Sequence, residues 1–155
     1  MSFKLILSIF VLTWMPCIIL ATEGIRECPG LPAPNYVNIA GCEKAPCLLP
    51  RGKDAEMESS FTSIDAADKL KTRSYFREIE SGIAGEFPLP SDKANTCDWL
   101  ISTTCPLYPT EDVTFTLSMP VLWIYPKNMD LDLKITVENE SKVILSCFQV
   151  LAKTV

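Results

Sequence analysis

The chain has 155 residues, with 14 lysines and arginines against 19 acids, a net charge of −5 and no histidine. That length fits one domain behind a leader, and an acidic balance without a basic run excludes nucleic acid as a partner and disfavours standing attachment to an anionic membrane. The missing histidine removes Ser-His-Asp and Cys-His catalysis and the usual imidazole acid–base roles.

The first element is not part of the domain. Lys4 precedes an apolar run, Leu5 to Leu20, that ends beside the small residue Ala21. A basic start, an apolar centre and a small residue at the cut site make residues 1–21 a signal peptide and 22–155 the domain. Pro16 interrupts the run, and a spanning helix needs about 20 apolar residues. Lys4 leaves with the leader, so the exported chain is more acidic still. Cys17 leaves too, and Cys28, Cys42, Cys47, Cys97, Cys105 and Cys147 remain. An even set in an exported domain points to disulfides. Spacing alone leaves the connectivity open. Proximity suggests Cys42–Cys47 and Cys97–Cys105, which leaves Cys28–Cys147 to join the two ends. Without CxxC pairs or histidine, no metal site and no cofactor are expected.

Beyond the leader the chain reads as strands. In "NYVNIAGC" Val37 and Ile39 share one phase, and Pro46 and Pro50 flank a short Cys47–Leu49 segment. Met57, Ser59 and Phe61 share a phase in the next strand. Residues 72–83 read as a strand in preference to a helix, because helical spacing gives no apolar stripe. "AGEFPLPSDKANTC" reads as loop, with Pro88 and Pro90 holding Phe87 and Leu89 extended. Val113, Phe115 and Leu117 then alternate with Thr114, Thr116 and Ser118. Met119 to Tyr125 is apolar on both phases and reads as the first arm of a hairpin. A turn at Pro126–Asn128 leads to the second arm, where Leu131, Leu133, Ile135 and Val137 face one way. "VENESK" is another turn, and "VILSCFQVL" a final, largely buried strand. Asn139-Glu-Ser141 in that turn is a glycosylation sequon, expected to be exposed. Short strands with turn signals and period-two patterning give an all-β fold, a sandwich of antiparallel sheets.

Little in the chain supports catalysis. GxSxG, P-loop and GxGxxG patterns are absent, and the exported cysteines are paired. Asp130 and Asp132 share a strand face and Glu111 adjoins Asp112, but these patterns suit a solvated face and a turn better than an acid–base pair. The expectation is a protein that is not an enzyme.

"CEKAPCLLPRG", "FPLP", Cys105–Pro106, "MPVLWIYP" and the final "LSC" occur in this order. Together they resemble the ML lipid-recognition domain, and within it the Niemann-Pick type C-two sterol carriers in their arthropod form, over essentially all of residues 22–155. The resemblance implies an immunoglobulin-like sandwich of two sheets with an apolar tunnel between them. It implies the same pairings, Cys28–Cys147, Cys42–Cys47 and Cys97–Cys105. It places Phe87, Val121, Tyr125 and Pro126 at the tunnel mouth. Met129, Leu131, Leu133, Ile135, Ile39 and Met57 fall on the interior. Glu86 stands beside the mouth phenylalanine, and Ile135 stands where sterol carriers tend to have tryptophan. Both departures change the mouth and tunnel.

The expected function is therefore that of a secreted, monomeric lipid carrier for a sterol, a fatty acid or another hydrophobic small molecule. Transfer would occur at a membrane or a receptor, with the lysosomal lumen as the alternative location. The rival functions are a lipid-dependent recognition module that acts through a receptor, and a filled sandwich with protein partners. Leu122 and Ile124 lie off the mouth phase. They are covered by a neighbouring loop, or they form an apolar rim.

Overall fold

In the computed structural model residues 20–155 are described, so the expected leader lies outside them except for its last two residues. Alternating side chains build the sheets. The smaller sheet has three strands in the order β2 (Tyr36–Ile39), β4 (Lys53–Thr62) and β7 (Asp112–Val121), all antiparallel. In register, Ile39 stands opposite Met57, and Met57 opposite Leu117. The apolar phase read from the sequence is therefore one continuous inner face.

The larger sheet has six strands. β1 (Arg26–Glu27) is followed in space by β9 (Ile144–Thr154), β8 (Asp130–Asn139), β5 (Leu70–Glu78) and β6 (Ala84–Phe87). β3 (Cys47–Leu49) joins the outer edge of β9 as a parallel partner, with Cys47 opposite Ala152. Leu131, Leu133, Ile135 and Val137 face inward from β8, while Phe148, Val150 and Ala152 face inward from β9. These side chains and those of the smaller sheet form one contiguous buried core. The ring centroids of Phe61 and Phe115 lie 6.1 Å apart, edge to face, at its far end from the Tyr125 loop.

The disulfides are Cys28–Cys147, Cys42–Cys47 and Cys97–Cys105. The first spans 119 positions and ties the start of the domain to β9.

Two expectations change. The segment from Met119 to Val137 is not a hairpin. Val121 ends β7 opposite Lys53 in the smaller sheet, and Asp130 begins β8 opposite Lys153 in the larger one. Residues 122–129 cross from sheet to sheet. Period-two alternation reports which face of a strand is buried, not which strand it pairs with. The "AGEFPLPSDKANTC" stretch is not all loop either. Ala84–Phe87 pairs with Ser74–Arg77, Ser91–Ala94 is a helical turn (α1), and a 3-10 turn follows at Thr96–Trp99. The edge strand stops at Phe87 because Pro88 has no N–H to continue the ladder.

Candidate functional site

The end of the sandwich at which the chain changes sheets carries an aromatic cluster. Phe87 stands opposite Ser74 in the β5–β6 ladder, and Phe76 stands opposite Gly85. A side chain at Gly85 would place its Cβ 3.0 Å from the Phe76 ring, so the glycine lets that ring lie across β6. The Phe87 centroid lies 4.8 Å from Phe76 and 5.0 Å from Tyr125, the latter edge to face. Tyr125 is held by its own loop. Its N–H donates to the Leu122 carbonyl at 3.2 Å, and its carbonyl accepts from Arg51 Nη1 at 3.2 Å. Burial pushes its phenol above the ordinary value, so the ring carries no charge into the cluster.

These rings enclose a small apolar cavity of about 190 Å³, lined by Phe76, Phe87, Tyr125 and Met129, with Pro88, Pro126 and Glu86 at its lip. Glu86 is drawn away from the apolar space by Arg73, 3.2 Å off. Of the residues expected at the mouth, Phe87, Tyr125 and Pro126 come together here, and Met129 joins them from the interior set. Val121 is buried at the end of β7 and is not part of this lining. Leu131, Leu133, Ile135, Ile39 and Met57 are buried deeper, in the shared core. Behind the mouth the sheets touch: the Ser74 hydroxyl donates to Met119 Sδ at 3.2 Å. Phe76 escaped the sequence reading. Its phase on β5 runs Leu70, Thr72, Ser74, Phe76, and the two hydroxyl residues hide the apolar face.

Leu122 and Ile124 are not covered. Leu122, Trp123 and Ile124 project from the crossover, with Ile124 84% exposed. Trp123 is seated on Gly52, whose φ is +79°; a Cβ there would come within 2.1 Å of the indole nitrogen. The Arg51 guanidinium lies 5.7 Å from the Trp123 ring centroid. Across the mouth the exposed Ile83 helps line a shallow hollow with Phe76, Pro126, Lys127 and Met129. An apolar rim thus stands on both flanks of the cavity.

The remaining candidates fall elsewhere. Asp130 pairs with Lys153 at 3.3 Å and Asp132 with Arg26 at 2.5 Å on the outer face of the larger sheet. The Glu111 carboxylate accepts from the Tyr108 N–H at 3.0 Å and from the Thr103 hydroxyl, closing a turn. The exposure expected of the Asn139 sequon is corrected. Its residue is 3% exposed. Its Nδ2 donates to Asp65 and to the Ala66 carbonyl, and its Oδ1 accepts from the N–H groups of Ser141 and Val143. The sequon marks a turn, as read, but its asparagine is turned inward to tie two loops together.

A profile of the ML domain matches residues 24–154. The chain belongs to the ML domain family. It is 29% identical over 119 residues to the NPC intracellular cholesterol transporter 2 homolog a of Drosophila melanogaster, covering 76% of each chain. A Niemann-Pick type C2 protein from Japanese carpenter ant has the same fold, with a TM-score of 0.71 at 18% identity over 84% of this chain and 98% of that one. Chicken MD-1, solved with lipid IVa, is a more distant match, with a TM-score of 0.50 at 12% identity over 83% of this chain and 87% of that one. This ML domain keeps the two-sheet architecture and the disulfides that the sequence motifs imply. Among the described residues no helix is long and apolar enough to cross a membrane.

Proposed function

We propose that this ML domain is an exported lipid carrier that takes a sterol, a fatty acid or another hydrophobic molecule between its sheets through the Phe76–Phe87–Tyr125 mouth. The observation that supports this most is the apolar cavity at the end of the sandwich where the chain changes sheets, whose lining side chains pack against the buried core of Leu131, Leu133 and Ile135. The likeness to a Drosophila protein named a cholesterol transporter agrees with it. Each methylene moved from water into such an interior gains about 0.8 kcal/mol, so a chain of moderate length offsets the cost of association without any polar contact.

The cavity is smaller than the roughly 300–1,000 Å³ of ordinary ligand sites. Admission of lipid therefore requires Phe87 and Tyr125 to swing apart and the sheets to part beyond the Ser74–Met119 contact. The rim of Leu122, Trp123, Ile124 and Ile83 is where a membrane or receptor would meet the mouth during transfer. Export, a monomeric state and a lysosomal or extracellular location belong to the same proposal.

Mass spectrometry of organic extracts from natively purified protein tests it, together with displacement of a fluorescent sterol and a fluorescent fatty acid. A bound lipid is expected, and Met129→Trp, which would fill the cavity that Met129 lines, should reduce uptake at least about ten-fold. No co-purifying lipid and no uptake on reconstitution would sink the carrier reading in favour of a filled sandwich.

A further inference from the structure

A groove of about 710 Å³ lies outside the sheets, along the part of β5 that β6 does not reach. Residues 69–73 form one wall, α1 and the Pro88–Leu89 turn the other, and the β8–β9 turn closes one end. Its cations are Lys69, Lys71, Arg73 and Lys142, and its acids Glu86 and Glu140. The acids are already engaged. Glu86 accepts from Arg73, and Glu140 accepts the N–H groups of Asp68 at 3.5 Å and Lys69 at 3.2 Å. Arg73 and Lys142 converge on Glu138 at 2.9 and 3.0 Å. Among the described residues the ammonium groups of Lys69 and Lys71 make no direct ion pair, Lys69 sensing only the more distant charge of Glu140, although the chain as a whole is acidic. Pro88, Leu89 and Ala94 give the groove an apolar side.

We propose that this groove binds an amphiphile with a phosphate head, the head at Lys69 and Lys71 and the apolar chain against Pro88, Leu89 and Ala94. Two ammonium groups without a direct ion pair, beside a guanidinium, match a doubly charged head, and a single carboxylate would leave one of them without a contact partner. The volume falls within the range of small-molecule sites. The groove shares only Glu86 and Pro88 with the mouth cavity, so this inference stands or falls independently of lipid carriage between the sheets.

The test uses the purified protein, ¹⁵N-labelled, with dodecyl phosphate, dodecanol and inorganic phosphate as separate probes. Dodecyl phosphate is expected to shift the amides of residues 69–73 and 91–95. The two half-probes should act there at least about ten-fold more weakly, because each satisfies one side of the groove only. Lys69→Glu with Lys71→Glu, both at exposed positions, should weaken dodecyl phosphate about ten-fold or more while leaving displacement of sterol at the mouth unchanged. Shifts confined to Phe87, Tyr125 and Met129 would overturn the proposal. So would equal binding of dodecanol or of inorganic phosphate at the groove, or wild-type affinity in the double variant.

Discussion

Phe87 both lines the aromatic cavity and belongs to the core, and its replacement probes the two roles. Phe87→Ala removes a ring held between Phe76 and Tyr125, and the expected cost is about 2–4 kcal/mol in a urea titration, at the low side of buried phenylalanine deletions because the site opens to solvent. The disulfides keep the fold, and retention of lipid should fall. Asn139 makes a different kind of prediction. Asn139→Ala breaks hydrogen bonds to two loops and leaves the Ser141 and Val143 amides without an acceptor. The expected loss is about 2–3 kcal/mol, read as a lower melting temperature. Intact-mass analysis of the folded protein purified from a glycosylating host should find no glycan on Asn139. These two residues show what a sequence can and cannot say about a site. Phe87 is singled out by the family resemblance of "FPLP", while the residue pattern alone puts it in a loop and hides the strand that it ends. The exposure of Asn139 is misread because a sequon specifies residue types, whereas burial of the side chain is decided by tertiary contacts.

At the level of elements, the crossover 122–129 is held from below by the turn that precedes β4. Gly52→Ala would impose a side chain on a left-handed backbone and drive a Cβ into the Trp123 indole. The expected outcome is displacement of Trp123, with an altered tryptophan emission spectrum and a stability loss of at least about 1 kcal/mol. The outer face of β5 and β8 supplies a pH dependence. Burial pushes the Glu138 carboxyl up, but Arg73 and Lys142 outweigh it and hold the group below the ordinary carboxylate range. Hydrogen bonds from Ser81 hold Glu78 low as well, and Thr103 does the same for Glu111. A carboxyl depressed in the folded chain stabilises it above the ordinary value, and that contribution is lost as pH falls through the depressed one. Urea midpoints should therefore decline on acidification below the ordinary carboxylate range, and Glu138→Gln should flatten part of the decline. The strands themselves were largely legible, since Val113–Leu117 and Leu131–Val137 alternate cleanly. Their partners were not. The apparent hairpin is a crossover, because alternation is a local property and sheet membership is set by closure of the whole core. β6 was hidden for a related reason: Ala84 and Gly85 carry no strand signal, and the pairing is supplied by β5.

Across the whole molecule, the Cys28–Cys147 bond closes a loop of 119 positions. In the chain-entropy view its removal by paired serine substitution should cost about 4–5 kcal/mol, measured by denaturant titration under non-reducing conditions. The bond has a second consequence, which involves strand geometry and not entropy. β9 runs for 11 residues and is paired along its inner edge by β8. Its outer edge is occupied in succession by β1, at Phe148 and Gln149, and by β3, from Ala152 to Thr154. Neither short strand has the length to hold that position alone. Cys28 follows β1 directly and is bonded to β9 itself, while Cys47 opens β3 and is bonded to Cys42. Each crosslink acts as a clasp on a strip that masks a ready template for intermolecular β-pairing. Reduction should unmask that template, and the protein is expected to self-associate through β9 in reducing solution while staying dispersed in oxidising solution, a contrast that light scattering would register.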